Sequence, residues 1–354
     1  MARLSRAEMQ GQNRAKVLAA ARAEFAERGF RDTKIDQIAE RAELTRGAVY
    51  SNFPGKRALY FAVLAQVADE AGEPEFPPTG RLGEHVLADF ARAWLARLPL
   101  ALDDEHNVSR LGRDLLPEIM SQERVRGPYA QLLNLSAIVL GLSLEGLRPG
   151  TTRMVRAAEI ALTTLQGAGQ LAAAAPGFGE PFATVQACAR LATLDLDDVW
   201  AAAHLPYVAP ARPVDQPWTP PTVTDALRAE PAMLAGDGVV AVLGLHRLAV
   251  IEEAVRAAPD SAAITLVVVT GNPAELGPLA RLSVTELRTC LRAALPAKNW
   301  PRLRIVHDEE GTIAAAAGLP AVSDATESAV RIASGRIVAR ADGYGACHAV
   351  ASWP

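Results

Sequence analysis

The chain has 354 residues, of which 50% are hydrophobic, and a formal net charge of −4. This length predicts two or three domains. Apolar runs that are short and broken by charge, and an N-terminus without an apolar segment, exclude a membrane-spanning protein and a secretory signal. The 3 cysteines are widely spaced and predict neither a disulfide framework nor a metal site. We therefore expect a cytoplasmic protein with no cofactor, no metal and no membrane partner.

Residues 33–59 carry the pattern of a helix-turn-helix. Thr33 is a good N-cap for a short helix whose apolar residues recur at helical spacing. After a tight connection, Thr45 can cap a second helix that runs to Tyr50. In helix-turn-helix proteins this second helix lies in the major groove of duplex DNA. The segment therefore predicts a DNA-binding site.

The expected DNA contacts form two groups. The second helix would present Thr45, Arg46 and Tyr50 to bases or phosphates, and Gly47 keeps its start slim enough to enter a groove. Lys56 is expected in the first turn of the next helix, where backbone N–H groups and a cation would form a phosphate site. Contacts to the DNA backbone, which position the protein, are predicted for Thr33, Lys34, Asn52 and Lys56.

The distribution of charge supports this prediction. Residues 1–64 hold 12 Lys/Arg and 7 Asp/Glu, a balance of +5, so the rest of the chain carries −9. Phosphate neutralisation supplies most non-specific DNA affinity, and an acidic body discourages docking of the wrong face. The alternative is a solvated charge imbalance without function. Beside the helix-turn-helix pattern, the DNA-binding interpretation is favoured.

The stretch from Arg14 to Leu64 resembles the N-terminal domain of the TetR family of transcriptional regulators. Asn52 stands where the family often has His, and Glu43 stands where Gly is usual, so a non-Gly residue must accept the turn geometry. The resemblance implies an all-α regulator that binds a palindromic operator as a homodimer and responds to a small molecule. It rests on three blocks: Phe25–Phe30, Leu44–Tyr50, and Phe53 with Lys56 and Leu59.

Residues 65–205 are predicted to be helical throughout, because apolar residues recur at a 3.6-residue period between Pro and Gly breakers. The resemblance assigns this region ligand binding and dimerisation. Residues 151–174 and 181–203 are the predicted dimer helices, since small side chains let helices approach closely. The alternative is that both helices pack only against their own domain.

Five candidate ligand contacts lie on helices that line the cavity in similar regulators. Trp and Met side chains adapt to apolar ligands, and a buried Arg would favour an anion. For each residue the alternative is a core or surface position. One of them, His106, follows three acidic residues, an arrangement that sometimes binds metal, but a solvated helix start is the simpler interpretation. The candidates are Trp94, Arg97, His106, Arg113 and Met120.

The C-terminal third has a different pattern. Six prolines within residues 206–221 predict a stiff extended linker. Beyond it, the continuous apolar runs 239–243 and 264–269 are typical of strands covered on both faces. Residues 303–306 predict a third strand, and residues 329–341 a hairpin. With helices between the strands, residues 222–354 are predicted to form an α/β domain with a mixed sheet.

This order resembles the thioredoxin-like fold, and its redoxin branch in particular. The resemblance rests on 304–320 and on Ser334–Val338. Redox chemistry would need a low-pKa thiolate just after the first strand, where residues 244–247 contain no cysteine, so the catalysis is expected to be absent. Cys290 is expected to be buried and inert, whereas Cys347 is the more exposed candidate for oxidant sensing. A flavodoxin-like or dinucleotide domain is less favoured, because the Gly-rich residues 236–238 precede the strand.

Together these patterns predict a multi-domain protein, with a helix-turn-helix domain at 1–64 and a helical domain at 65–205. A linker would occupy 206–221, and a thioredoxin-like accessory domain 222–354. The predicted function is that of a homodimeric TetR-type repressor, released from a double-stranded DNA operator by a small-molecule effector, without enzymatic activity. The alternatives are a redox-linked enzyme or oxidant sensor fused to a DNA-binding head, and an architectural DNA-binding protein without an effector.

Overall fold

The computed structural model describes residues 5–72, 83–97, 108–147, 153–201 and 208–354. The predicted order of a helical region followed by a mixed sheet is confirmed. The N-terminal part of the described chain is helical, and a C-terminal sheet follows with its own helices.

Four helices form the N-terminal part, of which residues 5–64 are called the head below. The first helix opens with a capping box, in which the Ser5 hydroxyl accepts from the Glu8 N–H at 3.2 Å. Gly29 interrupts this helix with a φ of +74°, a conformation that glycine adopts without strain. The rings of Phe25, Phe30 and Tyr60 pack together in the core. The helices are α1 (Arg6–Asp32), α2 (Ile35–Arg41), α3 (Arg46–Asn52) and α4 (Lys56–Glu70).

Among the described residues between 83 and 201, five further helices and one 3-10 segment (Val108–Asp114) form the helical body. The central helix of the body is α7 (Glu123–Gly146). Within the described chain it is the one helix long and apolar enough to cross a bilayer, but 61% of its most apolar window is buried inside the protein. The predicted helix 181–203 is shorter than expected and ends at Leu191. The helices are α5 (Gly83–Leu95), α6 (Leu115–Met120), α7 (Glu123–Gly146), α8 (Val155–Ala174) and α9 (Pro181–Leu191).

Six strands form one mixed sheet in the order β1-β8-β7-β4-β5-β6. β4, β5 and β6 are parallel to one another. The pairs β4–β7, β7–β8 and β8–β1 are antiparallel. The predicted hairpin is confirmed, with Ser334 and Gly335 both at positive φ in its two-residue turn. The strands are β1 (Arg212–Pro217), β4 (Gly238–Gly244), β5 (Ala263–Val269), β6 (Leu303–His307), β7 (Glu327–Ala333) and β8 (Arg336–Asp342).

Four helices and a small second ladder complete the C-terminal domain. The ladder pairs β2 (Thr224–Asp225) with β3 (Glu230–Pro231), and sequence patterns did not predict it. A 3-10 turn at Leu248–Val250 leads into the first helix. The helices are α10 (Ile251–Ala257), α11 (Pro273–Ala294), α12 (Thr312–Ala316) and α13 (Ala346–Ala351).

The predicted linker is wrong in part, because its residues 212–217 form strand β1 of the main sheet. β1 pairs only with β8 and lies at the edge, with a register irregularity between Pro213 and Gln216. Proline is tolerated at sheet edges, where its missing N–H would otherwise face solvent. The proline density therefore excludes a central strand but not an edge strand.

The helical region and the C-terminal domain share one hydrophobic core. Its buried residues run continuously from the head through the body to one face of the sheet. α11 packs against α4, α5 and α7, whereas a smaller cluster around Trp218 covers the opposite face of the sheet. The C-terminal domain is therefore packed against the helical region and is not connected to it by a linker alone.

Candidate nucleic-acid interface

One side of α3 is buried against the rest of the head, and the opposite side is exposed to solvent. Val49 and Phe53 are buried in the head, whereas Arg46, Gly47 and Tyr50 face solvent. The hydroxyl of Thr45 accepts from the Ala48 N–H at 3.2 Å, so the predicted N-cap of this helix is confirmed. The exposed side of α3 can therefore enter a groove without unfolding any part of the head.

The turn before α3 uses Glu43 in a left-handed conformation. Its φ is +55°, the geometry that we expect at this position, where glycine would be the easier residue. The turn closes when the Leu44 N–H donates to the Ala39 carbonyl at 2.9 Å. This connection sets the angle between α2 and α3.

Arg46 and Tyr50 form the centre of the exposed surface. The Arg46 guanidinium lies 5.6 Å from the centroid of the Tyr50 ring and 3.4 Å from the Asp36 carboxylate. The hydrogen bond with Tyr50 and the charge of Asp36 raise the pKa of Arg46 above its usual value. A guanidinium oriented by an aromatic ring is suited to a guanine edge or a phosphate. Asp36 is its competing partner when DNA is absent.

Thr33 lies elsewhere than predicted. It is buried at the end of α1, and its hydroxyl donates toward the Glu24 and Gly29 carbonyls at 3.0 and 2.7 Å. The N-cap of α2 is Lys34, whose backbone N–H donates to the Gln37 side chain at 2.9 Å. The predicted N-cap at Thr33 is therefore wrong, because the hydroxyl is held in the kink of α1.

Lys56 is also engaged inside the head. Its ammonium group donates to the carbonyls of Phe30, Arg31 and Thr33 at 2.7, 3.2 and 2.9 Å. The same group lies 4.3 Å from the centroid of the Phe30 ring. Because an ammonium has three N–H donors, all of them are used. These bonds clamp the end of α1 at the place where a phosphate contact is predicted, and burial lowers the pKa of this lysine.

Asn52 and Lys34 occupy the two sides of this surface. The side-chain amide of Asn52 donates to the Ala48 carbonyl at 2.9 Å, and the backbone carbonyl of Asn52 accepts from the Arg14 guanidinium at 3.2 Å. Lys34 is exposed at the start of α2. Lys34, Thr45, Arg46, Gly47, Tyr50 and Asn52 therefore stay predicted contacts to DNA.

Three residues of this surface were not predicted by sequence patterns. Arg14 stacks on Phe53 at 4.3 Å and so fixes the end of α3. Asp114 accepts from the Phe30 N–H at 2.6 Å and joins the head to the body. The capping glutamine, Gln37, is three residues after Lys34, a spacing that could have indicated the true start of α2.

Comparison with known proteins decides the family. The family described as bacterial regulatory proteins, tetR family, matches residues 17–63. The uncharacterized HTH-type transcriptional regulator TtgW of Pseudomonas putida is 37% identical over 107 residues, which cover 30% of this chain and 72% of TtgW. The chain belongs to the TetR family. This TetR-family chain is also 33% identical over 107 residues to the HTH-type transcriptional regulator RutR of Escherichia coli (strain K12), covering 25% of this chain and 50% of RutR.

The chain therefore spans about half the length of RutR. Among solved structures, NalD, described as the secondary repressor of the MexAB-OprM multidrug efflux pump in Pseudomonas aeruginosa, is 24% identical. It covers 52% of this chain and 96% of its own, with a TM-score of 0.32.

The predicted ligand residues do not form one site in this TetR-family chain. Arg113 and Met120 are exposed, the latter by 64%, and His106 lies outside the described residues. Arg97 pairs with Glu286 of α11. Trp94 does line a cavity, with an unpartnered indole N–H, but its volume is about 20 Å³, enough for one water. α11 forms one wall of that cavity, so the C-terminal domain fills space that a ligand would need.

The carboxyl end of β4, where a redoxin-type thiol would lie, is covered by the helical body. His246 packs so closely on α7 that a Cβ at Gly127 would lie 3.5 Å from its ring. The Ala249 N–H donates to the side chain of Gln131, also on α7, at 2.9 Å. This end of the sheet is therefore a docking surface for α7.

The cysteines of the TetR-family chain are all buried. The prediction for Cys290 as a buried thiol in a helix is confirmed, whereas the prediction of a more exposed Cys347 is wrong. Cys347 lies in α13, which packs against β7 and β8. Burial raises the pKa of Cys188 and Cys290 to about 11, and that of Cys347 well above its usual value. None of the three is therefore suited to thiolate chemistry.

Proposed function

We propose that this chain is a cytoplasmic, homodimeric transcriptional repressor that places α3 in the major groove of a palindromic operator. The observation that carries the proposal is the exposed pair Arg46 and Tyr50 on the helix of a basic head. Repression requires only that the dimer occupies the DNA. Arg46 would read a base, Tyr50 would orient it, and Thr45, Lys34 and Asn52 would position the head on phosphates.

The dimer face is proposed on α8 and α9. Ile160 and Leu171 of α8 are exposed by 38% and 46%, and Phe178 and Phe182 by 67% and 59%. Exposed large apolar side chains on these two neighbouring helices and on the connection between them support an interaction surface here. The Ala and Gly residues of α8 allow the close approach that a four-helix interface between two protomers needs. A two-fold dimer would place its heads on two half-sites.

Release from DNA is proposed to follow from binding of a small molecule. An effector shifts the equilibrium only if it binds the DNA-incompatible conformation more tightly. A site in the helical body would require the cavity beside Trp94 to expand greatly from its volume of about 20 Å³. An effector that binds within the helical body would therefore have to displace α11.

The C-terminal domain is proposed to be a thioredoxin-like accessory module without catalysis. Three parallel strands flanked by an antiparallel hairpin and a final helix support this assignment. Residues 244–247 contain no cysteine, and α7 covers the end of β4. The rival proposal, a redox enzyme or oxidant sensor, finds no support in the three buried thiols.

The test is selection of binding sites from random duplex DNA by the full-length chain. We expect an enriched palindrome with the wild type and a roughly tenfold loss of selectivity with Arg46→Gln. Arg302→Gln, an exposed arginine of the C-terminal domain paired with Asp260, is the matched control and should select the wild-type sequence. Unchanged selectivity of Arg46→Gln would contradict the assignment of α3, and no enrichment by the wild type would contradict the regulator itself.

A further inference from the structure

A large cleft lies between the last turn of α4 and the C-terminal domain. Its volume is about 590 Å³, within the range of small-molecule sites and far larger than the cavity beside Trp94. Asp69 contributes the wall from α4, residues 221–226 and the end of β6 form further walls, and α11 presents Arg281 and Arg288. A molecule in this cleft would touch both the helix that follows the recognition helix and the appended domain.

The two arginines lie seven residues apart, two turns along one face of α11. Arg288 pairs with Asp69 at 3.3 Å, and Arg281 pairs with Glu309. The side chain of Arg288 is 16% exposed, whereas that of its partner Asp69 is 52% exposed. The guanidinium of this pair is therefore largely enclosed by the protein and also donates to the Ala226 carbonyl at 3.0 Å, whereas the carboxylate is in contact with solvent. A carboxylate from outside can take its place in the same geometry.

His307 adds a neutral polar group to the wall. Its Nε2 atom is fully buried and has no hydrogen-bond partner in the described chain. Burial and the nearby Arg281 lower the pKa of His307 to about 4, so the ring is uncharged at neutral pH. An uncharged imidazole can donate or accept one hydrogen bond. An unsatisfied buried nitrogen at the edge of a cleft is a position that a ligand atom would fill.

Occupation of the cleft would act on α4. Asp69 is held by the Thr285 hydroxyl at 2.9 Å as well as by Arg288 at 3.3 Å, and both partners belong to α11. A ligand that takes Arg288 removes one of these two contacts. α4 begins shortly after α3, so its position sets that of the recognition helix.

We propose that this cleft, and not the helical body, is the effector site, and that it binds a small organic carboxylate on Arg281 and Arg288 with His307 as its neutral neighbour. This inference rests on the proposed function for its regulatory meaning. A carboxylate fits better than a phosphate ester, because Glu309, Glu310 and Asp69 would repel a second negative charge. Asp308 also lines the cleft, but its carboxylate already accepts from the N–H groups of Thr312 and Ala314 at 2.8 Å each.

The experiment compares acids with their neutral amides on the full-length protein. Acetate, butyrate and benzoate are tested beside acetamide, butyramide and benzamide, and the melting temperature is measured by scanning fluorimetry. We expect at least one acid to raise the melting temperature by about 2 °C or more while its amide does not. Arg281→Gln and Arg288→Gln should abolish that shift, and Arg302→Gln should retain it.

A second measurement needs no variant. Modification of arginines by phenylglyoxal, followed by mass spectrometry, should be slowed by the active acid at Arg281 and Arg288 and unchanged at Arg302. Equal shifts by acids and amides, no shift by any acid, or unprotected Arg281 and Arg288 would each overturn the site.

Both measurements work without DNA, so they separate the site from the proposed function. Acid binding without operator binding would refute the regulator and leave the site. Operator binding that the active acid does not weaken would refute the effector role of the cleft.

Discussion

Arg57, in the first turn of α4, donates to the Glu275 carboxylate of α11 across 2.9 Å. Arg124 of α7 donates to the same carboxylate at 3.0 Å, and the Asn272 amide donates to it at 3.1 Å. Glu275 is only 7% exposed. One side chain of the C-terminal domain thus joins the head to the body, which explains why this domain cannot be regarded as a tethered addition.

Glu275→Gln should destabilise the full-length protein by about 2–4 kcal/mol, because it removes the carboxylate shared by two arginines in a buried site. The free energy of unfolding in urea measures this loss. Asp260→Asn removes an exposed carboxylate paired with Arg302 and is the matched control, with little expected effect. Equal losses in the two variants would show that the link to α4 contributes nothing.

Lys56 and Lys34 should behave differently toward salt. Lys34→Met should reduce the slope of log affinity against log salt by about 0.9 per protomer, since it removes a phosphate contact. Lys56→Met should leave this slope unchanged but lower stability by roughly 2 kcal/mol or more, since three carbonyls lose a charged donor. Fluorescence anisotropy on operator DNA at several salt concentrations and urea unfolding provide the two measurements. A reduced slope for Lys56→Met would restore its role as a phosphate contact.

Local features of the head could be predicted from the sequence, whereas features that depend on distant partners could not. The Thr45 cap and the Glu43 turn of the head depend on neighbouring residues, and strand β5 of the C-terminal domain could likewise be predicted from the apolar run 264–269. Lys56 has the residue type of a phosphate ligand, and only the folded end of α1 shows that its donors are already used. No local pattern separates the two kinds of lysine.

Contacts between residues far apart in the sequence show the same limit more strongly. Arg57 and Glu275 are separated by 218 positions, and Asp69 and Arg288 by 219, so no spacing rule connects them. Trp94 was predicted to line a cavity and does so, but the size of that cavity is set by α11. The Pro-rich residues 212–217 form strand β1 because they pair with the otherwise free edge of β8. In each case the missing information is the tertiary partner.

Asp36→Asn should strengthen binding to DNA. The carboxylate pairs with Arg46 at 3.4 Å on the exposed face of the head, so its removal frees Arg46 and removes repulsion from phosphate. We expect a gain of roughly threefold or more at low salt that shrinks as ionic strength rises. Anisotropy on operator and scrambled duplexes measures it. Glu230→Gln, on β3 of the C-terminal domain, serves as the control for loss of one negative charge; an equal gain there would indicate a net-charge effect alone.

Phe182→Glu should separate the protomers. Phe182 is 59% exposed in the first turn of α9, beside the exposed Phe178, so a charge there would be buried at the proposed interface without a partner. Sedimentation equilibrium should show a monomer, and operator affinity should fall because a single head occupies one half-site. Met233→Glu places the same charge on an exposed apolar residue of the C-terminal domain and should leave the dimer intact. A dimeric Phe182→Glu would move the interface away from this face.

His307 should make the protein sensitive to acid in a defined window. Its pKa is lowered from 6.5 to about 4 in the folded chain, so the unfolded chain binds the proton more readily. The stability that depends on the neutral ring is therefore fully present above about pH 6.5 and is lost as the pH falls toward 4. At pH 5 the loss should be about 2 kcal/mol relative to neutral pH.

His307→Gln, which keeps a polar group at this position but cannot be protonated there, should lose about 2 kcal/mol less than the wild type between pH 7 and pH 5. Urea unfolding of both proteins at the two pH values measures the difference. The acidic groups of the cleft titrate in both proteins and cancel in the comparison. Identical losses would mean that the pKa of His307 is not lowered in the folded chain, so that at pH 5 the cleft carries a third cation beside Arg281 and Arg288.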